Sequence, residues 1–149
     1  MSLIGVYELQ AYGALSTTAG TTTGSWIRLP RPTSGITFWV KLAEGGEASD
    51  TLDISIEVSL QGDISTNAVE IVQFNQQTGA GPAWSAKTLT ITNSTSSAAY
   101  LTQGSASTVS AGQGAGLIVG THYRAVMVTT DSDAGTDVDA TLGVWAVPF

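Results

Sequence analysis

Four carboxylates fall within nine residues, at Asp131, Asp133, Asp137 and Asp139, and oxygen donors crowded in this way are what a calcium ion takes. The segment DSDAGTDVD lacks the alternating order and the closing Glu of an EF-hand loop, and turns recruit Asp and Gly for backbone geometry alone. It is read as a turn, and no metal or other cofactor is assigned. Glycoside hydrolysis needs two carboxylates held a fixed distance apart. Asp53 and Glu57 lie four residues apart on one face of one strand, with Glu70 on a nearby strand, but no aromatic cluster accompanies them to hold a sugar. Acids on a wet sheet face serve solubility. Nucleophilic catalysis needs a base beside the nucleophile, and the one histidine, His122 in GTHYR, stands with no serine in a G-x-S-x-G elbow. His122 is therefore read as a surface or interface residue, and the chain as no enzyme.

Other short motifs carry less. GQGAG, Gly112 to Gly116, has the wrong spacing for a dinucleotide fingerprint and no helix to follow it. NST at 93 to 95 matches a glycosylation sequon, which means little without a secretory signal. The chain has no cysteine, so disulfides, thiolate catalysis and cysteine-based metal sites are excluded. The five bases, Arg28, Arg31, Lys41, Lys87 and Arg124, are scattered and the net charge is −7. Phosphate backbones and anionic membranes are recognised mainly by clustered Lys and Arg, so neither nucleic acid nor membrane is expected as a partner. The N-terminus MSLIGVYELQAYG has no basic region and no unbroken apolar run, and synthesis in a cytoplasm is expected.

Charged residues make up only 11% of the chain, and Ser and Thr together about a quarter, so the surface is built from hydroxyls. Such a surface suits β structure, where Thr is favoured. Within DTLDISIEVSLQGD, residues 50 to 63, Leu52, Ile54, Ile56, Val58 and Leu60 alternate with Asp53, Ser55, Glu57 and Ser59, which gives a strand with one apolar and one wet face. About nine strand-like runs recur between turn residues, and no helical period outlasts a turn or two. They include Leu3 to Tyr12, Ser25 to Leu29, Ile36 to Ala43, Val69 to Asn75, Lys87 to Thr92, Ala98 to Leu101, and a hairpin-like pair, Tyr123 to Thr130 and Val138 to Val147.

This pattern predicts an all-β, antiparallel two-sheet sandwich, jelly-roll-like, over residues 25–149. Residues 1–24 are expected to form an extended N-terminal arm on a Thr/Gly/Ser tether. Trp39 and Trp145 fall opposite their strands' aliphatic series, Ile36, Phe38, Val40 and Leu42 in one and Val138, Ala140, Leu142, Val144 and Ala146 in the other. Large rings on a second face suggest a second buried surface, such as a subunit interface.

The order VSLQGD, VEIVQFNQQTGAG, a Thr/Ser-rich middle, then THYRAVMVTTDSDAGTDVDATLGVWAVPF resembles tailed-phage capsid decoration (cement) proteins. In that family a strand ending in an "sldG" turn precedes a polar "ftq.tg.g" segment, a Tyr-x-Arg strand, an acidic or Gly-rich turn and a last apolar strand. Here the matching stretches are Ser59 to Asp63, Gln73 to Gly81, Tyr123 to Val128 and Val138 to Val147; Ile64 and Ser65 stand where a Trp often follows the turn.

The resemblance implies a non-enzymatic virion protein with a compact β fold. It would sit as a homotrimer on the capsid exterior, against the phage major capsid protein. Ile4, Val6, Tyr7 and Leu9 in the arm, and Trp39 and Trp145, are the candidate capsid or subunit contacts, and each equally suits its own core. The alternative is a carbohydrate-binding β-sandwich of a tail fibre or adhesin, using Trp84 and the 131–139 loop.

Overall fold

The alternation around Leu52 needs a partner surface, because a strand with one apolar face is stable only when that face is covered. A computed structural model describes residues 5–15, 19–32, 34–45, 50–59, 68–78, 83–90, 120–131 and 140–149. Among them are ten strands and no helix: β1 (Tyr7–Ala14), β2 (Gly20–Thr23), β3 (Ile27–Arg28), β4 (Gly35–Gly45), β5 (Thr51–Ser59), β6 (Val69–Gln73), β7 (Gln77–Thr78), β8 (Ala83–Thr90), β9 (His122–Thr130) and β10 (Ala140–Pro148). They form a four-stranded sheet in the order β1-β10-β4-β8 and a six-stranded sheet in the order β2-β9-β5-β6, where β3 also pairs with β9 and β7 with β5. Every pairing is antiparallel. The expected all-β fold of two packed antiparallel sheets is the observed one.

The core lies between the sheets. Ile36, Phe38, Val40 and Leu42 of β4 and Leu142, Val144 and Ala146 of β10 face Leu52, Ile54, Ile56 and Val58 of β5 and Tyr123, Ala125 and Met127 of β9, all of them buried. Phe38 and Tyr123 meet across the gap, their ring centroids 6.1 Å apart and tilted by 42°. The Tyr123 hydroxyl donates to the Gly120 carbonyl at 3.4 Å, so this buried phenol keeps a partner. Burial pushes the Tyr123 phenol above its ordinary value.

Two expectations change in detail. Tyr123 to Thr130 and Val138 to Val147 are not a hairpin, because β9 and β10 belong to different sheets. A hairpin and a crossover both begin with an acidic, Gly-containing turn, so local chemistry does not separate them. The strand expected from Lys87 starts at Ala83, which places Trp84 in the sheet. The one expected at Ala98 to Leu101 lies outside the described residues.

The expected arm pairs within its own chain over Tyr7–Ala14: β1 is an edge strand of the four-stranded sheet, with Tyr7 opposite Ala146 and Ala14 opposite Thr141. Two register shifts, between Glu8 and Gln10 and between Gln10 and Gly13, blur its period of two and hide the inward Leu9 from a pattern search. The stretch read as tether supplies β2, paired with β9. Between them Gly24 brings the two sheets into backbone contact. Its amide donates to the Ala125 carbonyl at 2.9 Å, and a Cβ there would stand 2.3 Å from the Leu9 carbonyl oxygen.

Two outcomes follow. Leu9→Ala is expected to remove about 2–5 kcal/mol of stability in urea denaturation, the range for truncating a buried leucine, whereas a detached arm residue would leave the midpoint unmoved. The raised Tyr123 pKa stabilises the fold at all pH below about 10, where unfolded tyrosine begins to ionise, and this contribution is lost as pH rises through the folded value. Tyr123→Phe is therefore expected to lose less stability than wild type between pH 8 and pH 11, measured by urea midpoints at both.

Candidate functional site

The alternation that fills the core also decides what stands outside. On β4 the outward positions are Thr37, Trp39 and Lys41; on β10 they include Thr141, Gly143 and Trp145; on β8, Trp84, Ala86 and Thr88. Register brings them together. Trp39 lies opposite Trp145 on one side and Ala86 on the other, and Lys41 lies between Gly143 and Trp84. The result is an aromatic platform on the outer face of the four-stranded sheet, joined from β1 by Tyr12.

Trp84 and Trp145 are near parallel, 28° between planes, with centroids 6.2 Å apart. Fully overlapped rings would stand about 3.5–4.0 Å apart, so at this distance the two are not in full face-to-face contact. Trp39 meets Trp84 edge-on at 6.5 Å and 80°. The Lys41 ammonium sits 4.6 Å from the Tyr12 ring centroid and 5.6 Å from that of Trp84, a cation held between two π faces. Trp84 is 62% exposed, Tyr12 45% and Trp39 39%, while Trp145 is half-buried. Near the rings, Thr37 and Thr88 share a hydroxyl hydrogen bond of 2.9 Å.

Gly143 is what makes room for the Trp145 ring. A Cβ at this position would stand 2.5 Å from Trp145 Cη2 and 3.1 Å from the Tyr12 Cα, so the Trp145 ring rests on the one residue of β10 with no side chain.

The other sheet's wet face is occupied by pairing within itself. The Arg124 guanidinium donates to Glu57 Oε2 through Nε and through Nη2, both at 2.7 Å, and lies 4.5 Å from the Trp26 ring centroid. Gln76 Nε2 donates to Asp53 Oδ2 at 2.9 Å. Glu57 stands opposite Glu70 in the β5–β6 register. The carboxylates considered for hydrolysis thus do meet on one face, with Glu57 engaged by Arg124 and Asp53 by Gln76. His122 Nδ1 lies 2.8 Å from the Thr121 hydroxyl, at the start of β9. Between the sheets, the gap beside Val40, Ile54 and Phe74 holds about 10 Å³, the size of one water rather than of a substrate.

Of the candidate contacts, Trp39 and Trp145 come together on the platform with Trp84. Val6 is 68% exposed; Tyr7 packs partly against the core with its ring over Gly5; Leu9 is 2% exposed inside this chain's own core and offers no outward contact. Ile4 lies outside the described residues, as do Asp133, Asp137, Asp139, the GQGAG segment and the NST sequon, while Asp131 directly follows β9 and is half-buried. Sequence reasoning missed Lys41, Tyr12 and Gly143 as members of one surface. The available signal was parity: Lys41 shares its outward series with Trp39, and Gly143 with Trp145.

In an ordinary strand, Gly→Ala gains about 0.5–1 kcal/mol from the unfolded chain's lost freedom. Gly143→Ala is expected to reverse that sign, lowering stability by about 1–3 kcal/mol and changing the near-ultraviolet circular dichroism as Trp145 is lifted off the sheet. An unchanged spectrum with a raised melting temperature would contradict this geometry. Comparison with protein-family models, with curated proteins and with solved structures returns no match for this chain.

Proposed function

We infer that this chain is a non-enzymatic structural protein of a tailed-phage virion, made in the host cytoplasm and bound to the capsid exterior as a decoration protein. It sits on the major capsid protein as a homotrimer. The reading draws on the strand and turn order of residues 59 to 147 and on the path of the chain through its two sheets.

Count β2 with β3 as one interrupted strand along β9, and β6 with β7 as one along β5. Among the described residues, the eight resulting strands pair first with last (β1 with β10), second with seventh (β2 and β3 with β9), third with sixth (β4 with β8) and fourth with fifth (β5 with β6 and β7). That is a single antiparallel ribbon, folded once and rolled so that alternate rungs fall in opposite sheets. This pairing order supports a jelly-roll reading, an architecture recurrent in viral capsid and lectin domains. Fold alone does not assign a role.

The observation that carries the assignment is where the ribbon puts its ends. Tyr7 pairs with Ala146, and the Phe149 amide and carbonyl both bond to Gly35, so the start of β1 and the end of β10 lie at one end of the four-stranded sheet. Val6 and Phe149 expose 68% and 40% of their surface there. Two exposed apolar residues at a strand terminus are a small contact, and a small contact suits repeated attachment to a shell, where several weak sites add to a slow off-rate.

The test is cosedimentation with undecorated heads of the encoding phage, alongside light scattering of the free protein. Wild type is expected to pellet with heads and to run as a trimer, and Val6→Asp combined with Phe149→Asp is expected to stay in the supernatant while remaining folded. A monomer that never pellets would overturn the reading.

A further inference from the structure

We propose that the aromatic platform formed by Tyr12, Trp39, Trp84 and Trp145 around Lys41 is a saccharide-binding site, taking an oligosaccharide of flat, equatorially substituted pyranose rings. This site goes beyond shell binding and lies on the outer face of the sheet rather than at its terminal end.

Three properties select the ligand. A pyranose with equatorial hydroxyls presents a face of C–H bonds, whose positive edges suit the negative face of an indole and whose apolar area is removed from water on stacking. Trp84 and Trp145, near parallel with ring centroids 6.2 Å apart, gather two such indoles on one face of the sheet. The rings are already braced: Gly143 seats Trp145, Trp39 props Trp84 edge-on, and Lys41 is fixed between Tyr12 and Trp84. A ligand meeting a preformed surface loses less free energy to ordering it.

Size and charge decide against the other occupants. The exposed fractions of Trp84, Tyr12 and Trp39 amount to roughly 200–400 Å² of ring surface, well below the ~800 Å² that each partner of a stable protein complex contributes. A second copy docked across a two-fold axis through this face would also set Lys41 against Lys41 within the most apolar part of the contact. Stacked nucleobases would bring phosphates to a chain of net charge −7. A saccharide supplies hydroxyl acceptors for the Lys41 ammonium with no opposing charge, and Thr37 and Thr88 continue the surface with hydroxyls of their own.

The experiment is a titration of the full chain with cellohexaose and with chitohexaose, followed by tryptophan fluorescence and by calorimetry. A saturable fluorescence change at one hexasaccharide per chain is expected with at least one of the two. Trp84→Ala, at an exposed edge-strand position where folding is checked by circular dichroism, is expected to weaken binding by about tenfold or more. The Val6→Asp, Phe149→Asp variant is expected to bind sugar as wild type does, which separates failure of this site from failure of shell binding. No response to either sugar at millimolar concentration, or equal affinity in Trp84→Ala, would overturn the proposal. So would a light-scattering mass that falls to the monomer in Trp84→Ala, because a second copy would then be the occupant.

Discussion

Phe38 reaches Tyr123 across the gap between the two sheets, and the burial of these inner faces dictates most of what stands on the outer ones. A strand's side chains alternate, so once Ile36, Phe38, Val40 and Leu42 are drawn inward, Thr37, Trp39 and Lys41 are left facing out. A slip of one residue would bury Lys41 and expose Phe38, and the core makes that slip prohibitive. The outer surface is thus held in register by a constraint it takes no part in. β10 carries the same logic further: it lies between β1 and β4, and it brings Trp145 beside Trp39 and Gly143 beside Lys41.

The two outer faces answer different physical demands. On the six-stranded sheet, Arg124 is stacked on Trp26 and bonded to Glu57, so charge and aromatic surface satisfy each other. On the four-stranded sheet the rings satisfy one another only in part. Trp84 leaves well over half its surface in water although Trp145, Trp39 and Lys41 all lie close to it. Single exposed hydrophobic residues need no explanation, but several rings gathered and braced on one face are a surface shaped for contact.

Much of the architecture was legible because β4, β5, β9 and β10 each keep a clean period of two, and such a period survives in one dimension. The inward and outward faces of Trp39 and Trp145 followed from it directly. What was hidden depends on non-local facts. β1 carries two register shifts, so Leu9 looks like an arm residue until β10 is placed beside it. The segment after Thr130 has turn chemistry suited to a hairpin, yet its two flanking strands join different sheets. Trp84 was visible as an aromatic residue, but its place beside Lys41 rests on the register between β8 and β4. Gly143 shared the parity of Trp145, but its role appears only when the Trp145 ring is seen to cover it.

The account stands or falls on β1 belonging to the sandwich, since β1 supplies Leu9 to the core and Tyr12 to the platform. Native-state amide hydrogen exchange measures this directly. If β1 is an integral strand, the amides bonded to β10 are expected to exchange with protection of the same order as those between β10 and β4. Exchange of the β1 amides at free-chain rates, with β10 and β4 still protected, would contradict it and return residues 7–14 to the status of a detachable arm.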